Sequence, residues 1–303
     1  QCLFFDDTDP TFRCPLHWPA VQYGKHPMAL IDHYFRGKTF AITGAGDGIG
    51  RALAIRLNRG ACRLWLCDIN PERLAETCAL LGPDRASVTS QIVDCGSRDA
   101  VFKWADDIAE QTTHLDGLIN NAGVGYGARF EHSTEDNFRW LMDINFWGVV
   151  NGTRALLPLL TRAPRGHLVN VSSIFGMVGI PTQSAYNAAK FAVRGFSEAL
   201  QAEYLGTTLS VSCVHPGGIR TNIARSARTD GSAGVANADE RDKQFQQLAH
   251  TTPERAAEII LKGTARGKRR ILVGWDAWLI QQFIKLFPTS YHWVTARLAK
   301  EPQ

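Results

Sequence analysis

The chain has 303 residues, 45% hydrophobic and 20% charged, with 33 basic against 29 acidic side chains. That length and apolar content call for a sizeable buried core, in one large α/β domain or two small ones. A formal charge of +4 is too even to argue for a nucleic-acid partner, and no stretch approaches the ~20 apolar residues of a membrane span.

Residues 1–27 are rich in Pro, His and Asp and hold no apolar run long enough for a signal peptide. They read as an N-terminal arm, either dispensable or foreign to the domain. Met28 opens "ALIDHYFRGKTFAITG", where the predicted domain of residues 28–275 begins. From residue 37 short β-branched runs ("TFAIT", "RLWLC", "SVTSQIV", "GLIN", "HLVNV", "LSVSCV", "RILVG") alternate with longer helical patterns. This rhythm predicts a single-domain, Rossmann-type doubly wound sheet of seven parallel strands, with helices on both faces. Ligands of such a sheet sit beyond the carboxyl ends of its strands. Residues 220–252 break the rhythm; polar and rich in Gly, Ser, Ala and Asn, they read as a lid over that edge. "RGKRR", Arg266 to Arg270, reads as a solvated helix end and strand edge, with a phosphate or acidic-membrane contact as the other reading. The seven scattered cysteines contain no Cys-x-x-Cys, which points to a reduced cytoplasmic protein with no metal site.

"FAITGAGDGIGRALAIRL" is a strand, a glycine turn and a helix. Gly44, Gly48 and Gly50 allow a tight turn, and the helix start offers free N–H groups to a pyrophosphate. The next strand ends in Asp68 ("LWLCDIN"), whose carboxylate suits the ribose hydroxyls of NAD and repels the extra phosphate of NADP. Asp47 adds a second negative charge. Arg51 is the opposing signal, unless an acid neutralises it. NAD is the expected cofactor, with NADP the lesser reading.

"SAYNAAKFAV" puts Tyr186 and Lys190 one helical turn apart. Alone, that spacing fits a core tyrosine beside a solvated lysine equally well. With the turn, the pair resembles the short-chain dehydrogenase/reductase family over residues 37 to about 275. The resemblance rests on "TGAGDGIG", "VDC", "NNAG", "INFWG", "NVSS", "SAYNAAK" and "HPGGIRTN", in that order. It implies a catalytic set of Asn145, Ser173, Tyr186 and Lys190, with Ser173 chosen over Ser172 by its distance from the tyrosine. It implies cofactor contacts from Gly44, Gly46, Asp47, Gly48, Ile49 and Gly50, and from Asp68, Asp94, Cys95, Asn121 and Gly123. Tyr186, Lys190, Pro216, Gly217, Ile219 and Thr221 complete that set. Asp94 would bind the adenine amino group, Asn121 would line the adenosine ribose, and Ile219 and Thr221 would touch the carboxamide and a phosphate.

To take an alcohol proton near neutral pH, Tyr186 must shed part of an ordinary pKa of ~10. A lysine charge at roughly 4 Å and an effective dielectric near 20 would supply up to about 4 kcal/mol. The expected activity is NAD(P)-dependent interconversion of a secondary alcohol and a ketone or aldehyde. The alternatives are a non-catalytic nucleotide sensor, and an epimerase or lyase with retained NAD. Ile174, Phe175, Met177, Val178, Tyr126 and Phe130 point to a lipophilic small-molecule substrate. The tail, residues 276–303, reads as an aromatic-rich helical extension, with Leu279, Ile280, Phe283 and Phe287 on one face and Gln281, Gln282 and Lys285 opposite. It would pack on its own domain or on a second copy, leaving a substrate gate or a peripheral membrane contact as minority readings. Resemblance implies a homodimer or homotetramer built on the helices of residues 134–163 and 184–206.

Overall fold

The computed structural model describes residues 27–82, 88–230 and 237–298. The predicted arm therefore lies outside the described residues, apart from Pro27. Strands β1 (Thr39–Thr43), β2 (Arg63–Asp68), β3 (Val88–Ile92), β4 (Gly117–Asn120), β6 (Gly166–Val171), β7 (Leu209–Pro216) and β9 (Arg270–Val273) build one sheet. They run β3-β2-β1-β4-β6-β7-β9, every neighbouring pair parallel. All seven runs picked out in the sequence are strands of this sheet. Two short strands, β5 (Tyr126–Gly127) and β8 (Arg228–Thr229), pair separately beyond its carboxyl edge.

Apart from the edge strand β3, the sheet is mostly buried on both faces, and successive residues feed different cores. Phe40, Ile42, Leu64 and Leu66 join the core under α1 (Pro27–Phe35), α2 (Gly48–Arg59) and α9 (Pro253–Ala265). Ala41, Trp65 and Cys67 join the other, under α4 (Arg98–Gln111), α6 (Gly148–Arg162) and α7 (Ser184–Glu203). The remaining helices are α3 (Pro71–Leu80), α5 (Glu135–Met142), α8 (Ala238–Leu248), α10 (Trp275–Leu286) and α11 (Tyr291–Leu298). The order reverses between β1 and β4, which opens a crevice at their carboxyl ends.

Polar side chains fix this layering from inside. Asn120 on β4 donates to Asn170 Oδ1 on β6 (2.9 Å) and to Thr153 on α6 (3.1 Å). Asn170 donates to Ser197 on α7 (3.0 Å), and Ser197 to the Val193 carbonyl (2.7 Å). Residues 220–252, expected as a polar lid, carry β8 and α8. Asn237 caps α8 by accepting from the Glu240 N–H, the local signal that the bulk composition hid. Cys62, Cys67, Cys78, Cys95 and Cys213 are free thiols; Cys2 and Cys14 lie outside the described residues. Among the described residues there is no cluster of metal-ligating side chains, and no helix is long and apolar enough to cross a membrane.

At the opposite, amino edge of the sheet, Tyr34 on α1 and His167 on β6 share a buried 2.8 Å hydrogen bond. Burial, reinforced by Lys38 and Arg165, pushes the His167 pKa down to about 3. Unfolded chains bind a proton below an ordinary value near 6.5, whereas the folded chain refuses it until about 3. Folded stability should therefore fall as pH drops through that window, by about 2 kcal/mol at a pH near 5. Urea denaturation at neutral and mildly acidic pH is expected to show this loss, and His167→Asn to shrink it.

Candidate active site

The crevice begins at the end of β1. Asp47 caps α2, its Oδ1 accepting the Gly48 N–H at 2.7 Å. Gly44 and Gly48 have φ of +65° and +51°. A Cβ on Gly50 would fall 2.0 Å from the Gly44 carbonyl, and one on Gly46 would fall 2.8 Å from the Asp68 carboxylate. The turn therefore accepts no larger residue at these positions, and its concave side stays lined by backbone. Ile49 packs against the adjoining core. Asp68 accepts the Gly46 N–H (2.8 Å) on one oxygen and the Asn70 N–H (2.9 Å) on the other. Each carboxylate oxygen retains a lone pair for a ribose hydroxyl.

Two residues near the turn are committed to partners within the chain. Arg51 donates to the Gly46 carbonyl, Thr77 and Glu76, so its charge is already matched and its fork occupied. The nearer exposed cation is Arg73, 3.6 Å from Asp47, which sequence spacing did not single out. Asn121 does not reach outward: its Nδ2 donates to the Thr43 and Gly44 carbonyls at 3.1 and 3.0 Å, tying β4 to the turn from behind. Thr43 completes the tie, its hydroxyl accepting from the Asn121 and Ala122 N–H groups, each at 3.0 Å.

Asp94 is exposed, one carboxylate oxygen accepting the Gly96 N–H. It does not cap α4, since Ser97 takes that role. Cys95 is buried, and its carbonyl lies 2.8 Å from the position a Cβ on Gly148 would take. On the far side, Pro216 ends β7, and Gly217 donates to the Val273 carbonyl at 2.9 Å. Ile219 is buried in the core, whereas the Thr221 methyl lies 2.8 Å from a Cβ built on Gly48. Asn222 donates to Asp47 Oδ2 at 2.8 Å, so the segment after β7 closes onto the glycine turn.

Asp276 is the most informative residue that spacing missed. Its Oδ2 accepts the Gly218 N–H at 2.6 Å, and its Oδ1 is buried with no hydrogen-bond partner. The carboxylate occupies the space a side chain at Gly217 or Gly274 would need. An acid in the first helical turn after the last strand, two residues past a glycine, was the available signal.

Residues 143–147 form a π-helical turn between α5 and α6, a local distortion that often marks functional sites. Asn145, at its centre and fully buried, pairs with the Val124 backbone in both directions at 2.8 Å. A Cβ on Gly123 would lie 3.1 Å from Asn145 Oδ1 and 3.4 Å from Lys190 Nζ, so the three converge. Lys190 is buried and donates to the Val171 carbonyl at 3.0 Å. Ser172 is buried and donates to the Lys190 carbonyl at 2.8 Å. The half-buried Ser173 hydroxyl accepts the Phe175 N–H at 3.1 Å and is hydrogen-bonded to Tyr186. His215, kept neutral by burial with its pKa down to about 4, holds the Ser173 carbonyl through Nδ1 at 3.0 Å.

Lys190 Nζ lies 5.7 Å from the Tyr186 ring centroid. The expected lowering of the tyrosine pKa is not what the protein's own groups produce. Burial pushes Tyr186 up to about 12, against a smaller favourable effect of the Ser173 hydrogen bond. Burial also pushes Lys190 down to about 8. Withdrawal from water penalises both charged forms, and at this separation it outweighs their attraction.

Asn187, beside Tyr186, holds the segment after Ser173: it donates to the Phe175 and Val178 carbonyls and accepts the Ile180 N–H. Met177, Val178, Ile174 and Tyr126 are buried packing residues, and of the six expected substrate contacts only Phe175 and Phe130 keep appreciable exposure. The Phe175 ring stands edge-on to Tyr186 at 6.0 Å. Tyr291 of α11 accepts the Gly179 N–H at 3.4 Å, and a cleft of about 470 Å³ separates Ile180 and Ser184 from Tyr291 and His292. The tail thus contributes a wall to this region.

Comparison with known proteins agrees with this geometry. The model of the family described as short chain dehydrogenase matches residues 38–232. SadH of Mycobacterium tuberculosis, provisionally named an oxidoreductase, is 42% identical over 265 residues, spanning 86% of this chain and 95% of SadH. A short-chain dehydrogenase/reductase from Burkholderia phymatum, solved in complex with NAD, superposes with a TM-score of 0.73 at 27% identity, covering 89% of this chain and 98% of that one. A chain from Escherichia coli, provisionally described as a short chain dehydrogenase and solved with NADPH, gives 0.67 at 27% identity, covering 80% and 97%. With seven parallel strands, a glycine turn at the switch point and these likenesses, the chain belongs to the short-chain dehydrogenase family of oxidoreductases.

Proposed function

We propose that the chain interconverts a secondary alcohol and a ketone or aldehyde with a nicotinamide dinucleotide, NAD being favoured. The supporting observation is the convergence of Ser173, Tyr186 and Lys190 where β6 and α7 meet, beside a glycine turn that only backbone can line. When bound, the dinucleotide accepts or returns the hydride. Gly44, Gly46 and Gly48 with the first N–H groups of α2 would hold its pyrophosphate, Asp68 its adenosine ribose, and Lys190 its other ribose.

The protein's part is to orient the substrate and move one proton. Ser173 Oγ donates to the substrate oxygen and stabilises charge developing there. Tyr186 Oη takes the alcohol proton in oxidation and returns it in reduction. Burial holds Tyr186 up near 12 in the chain alone, and a positive charge beside it, such as oxidised NAD would bring, would favour its ionised form. Both amide atoms of Asn145 are used by Val124, so any part it takes in proton transfer to solvent would fall to its backbone in the π-helical turn.

The half-buried Phe175 and the exposed Phe130, with the apolar segment around them, favour a lipophilic substrate. Trp147 and Phe191 are exposed on the segments expected to self-associate, which supports a dimer or tetramer built there. Asp276 holds the turn that closes the crevice and is proposed as a positioning residue.

Tyr186→Phe is expected to lower turnover by roughly a thousandfold or more while NAD still raises the melting temperature; near-normal turnover would overturn the proton role. Alcohol oxidation should rise with pH through the alkaline range, because it needs the phenolate, while carbonyl reduction stays flat until the phenol ionises; initial rates in both directions check the signs. NAD should stabilise the chain more than NADP in thermal-shift titrations, and Asp68→Ser should narrow the difference; greater stabilisation by NADP would refute the Asp68 reading. Asp276→Asn is expected to raise KM for the dinucleotide with little change in kcat, whereas a purely structural residue would change only the melting temperature.

A further inference from the structure

The tail is not arranged as its sequence pattern suggested. Ala277 is fully buried, and Ile280, Phe283 and Ile284 are partly buried, so these residues form the inner side of α10. Gln281 also turns inward, its Oε1 buried without a partner. Residues 275, 278, 279, 282, 285 and 286 occupy an outer arc of about 120° at 100° per residue. Four of the six are Trp275, Trp278, Leu279 and Leu286, exposed by 60, 54, 47 and 73%. Phe287 after the helix, and Trp293 (68% exposed) and Val294 on α11, are also exposed apolar side chains. Four large apolar side chains grouped on one exposed arc of a helix mark a contact that the isolated chain leaves unmade.

Its charges indicate what makes that contact. Lys285 lies on the same arc, and with Arg269 and Arg270 it lines a groove of about 530 Å³ beside α10. Glu198 matches Arg270 at 2.7 Å, while Arg269 and Lys285 make no ion pair among the described residues. Arg266 and Lys268 extend the basic edge, and Arg297 is exposed on α11. Asp276 is the acid of the described tail, and its carboxylate is turned inward onto Gly218. A second copy docking on this face about a two-fold axis would set lysine and arginine against the same cations. An anionic bilayer surface satisfies both features, taking the aromatic side chains at the headgroup level and neutralising the basic rim.

We propose that the outer face of α10 and α11, rimmed by Arg269 and Lys285, is a peripheral docking surface for anionic lipid membranes. The reading does not depend on the catalytic proposal, because its test measures binding alone.

The full chain is mixed with phosphatidylcholine vesicles, with or without phosphatidylglycerol, and sedimented, while tryptophan fluorescence is recorded. Binding is expected to phosphatidylglycerol vesicles, with a blue-shifted emission and weakening as salt is raised. The pair Trp278→Gln and Leu286→Gln, and separately Arg269→Glu with Lys285→Glu, should each weaken binding by roughly tenfold or more. All four side chains are on the surface, so unchanged melting curves certify the folds. Failure to bind either vesicle, equal binding to both, or binding that survives both variants would overturn the proposal. So would a wild-type oligomer that the Trp278 and Leu286 variant splits, since a second copy would then be the occupant.

Discussion

Lys190 ties α7 to the end of β6 from both of its ends. Its ammonium donates to the Val171 carbonyl, and its own carbonyl accepts the Ser172 hydroxyl. Ser173, Tyr186 and Lys190 depend on that double tie, because it sets the helix that carries Tyr186 against the end of the strand that leads into Ser173. The arrangement is costly. Holding a lysine so dry that its pKa drops to about 8 corresponds to about 3 kcal/mol against the charged form. That cost is present below the folded value and is relieved as pH rises toward 10.5, where the unfolded chain also gives up the proton.

Around this tie the crevice is closed by loops that borrow rigidity from their neighbours. His215 pins the Ser173 carbonyl, Asn187 fastens the segment after it, and Asn121 braces the glycine turn from behind. Asp276 reaches from the tail to the turn at Gly218, and Tyr291 reaches from α11 to Gly179. The tail is therefore mechanically part of the site. A contact made by its outer face would bear on the same elements that border the dinucleotide and the substrate.

Much of this was legible because the sheet has only one way to bury two faces. Alternation in "TFAIT" and "RLWLC" sends Phe40, Ile42, Leu64 and Leu66 one way and Ala41, Trp65 and Cys67 the other. The glycines of the turn were legible for the same kind of reason, since backbone at Gly44 and Gly50, and the Asp68 and Thr221 side chains at Gly46 and Gly48, fill the space a side chain would take. Helix α8 was not, because its single capping residue, Asn237, is local while the surrounding composition reads as loop. The inner and outer faces of α10 were mistaken, because hydrophobic spacing assumes that the apolar side faces the core. Here apolar side chains occupy both sides.

The sequence by itself determined the sheet, the order of its elements and the one-turn separation of Tyr186 and Lys190, since these follow from periodicity and backbone geometry. Only the tertiary structure decided what that separation does. It committed Arg51 to Glu76, both amide atoms of Asn145 to Val124, and Asp276 to Gly218, partners 25, 21 and 58 positions away in the chain. It also decided the charge balance of the tyrosine. Spacing can state that a lysine is near, but how far water is excluded from both groups depends on everything packed around them.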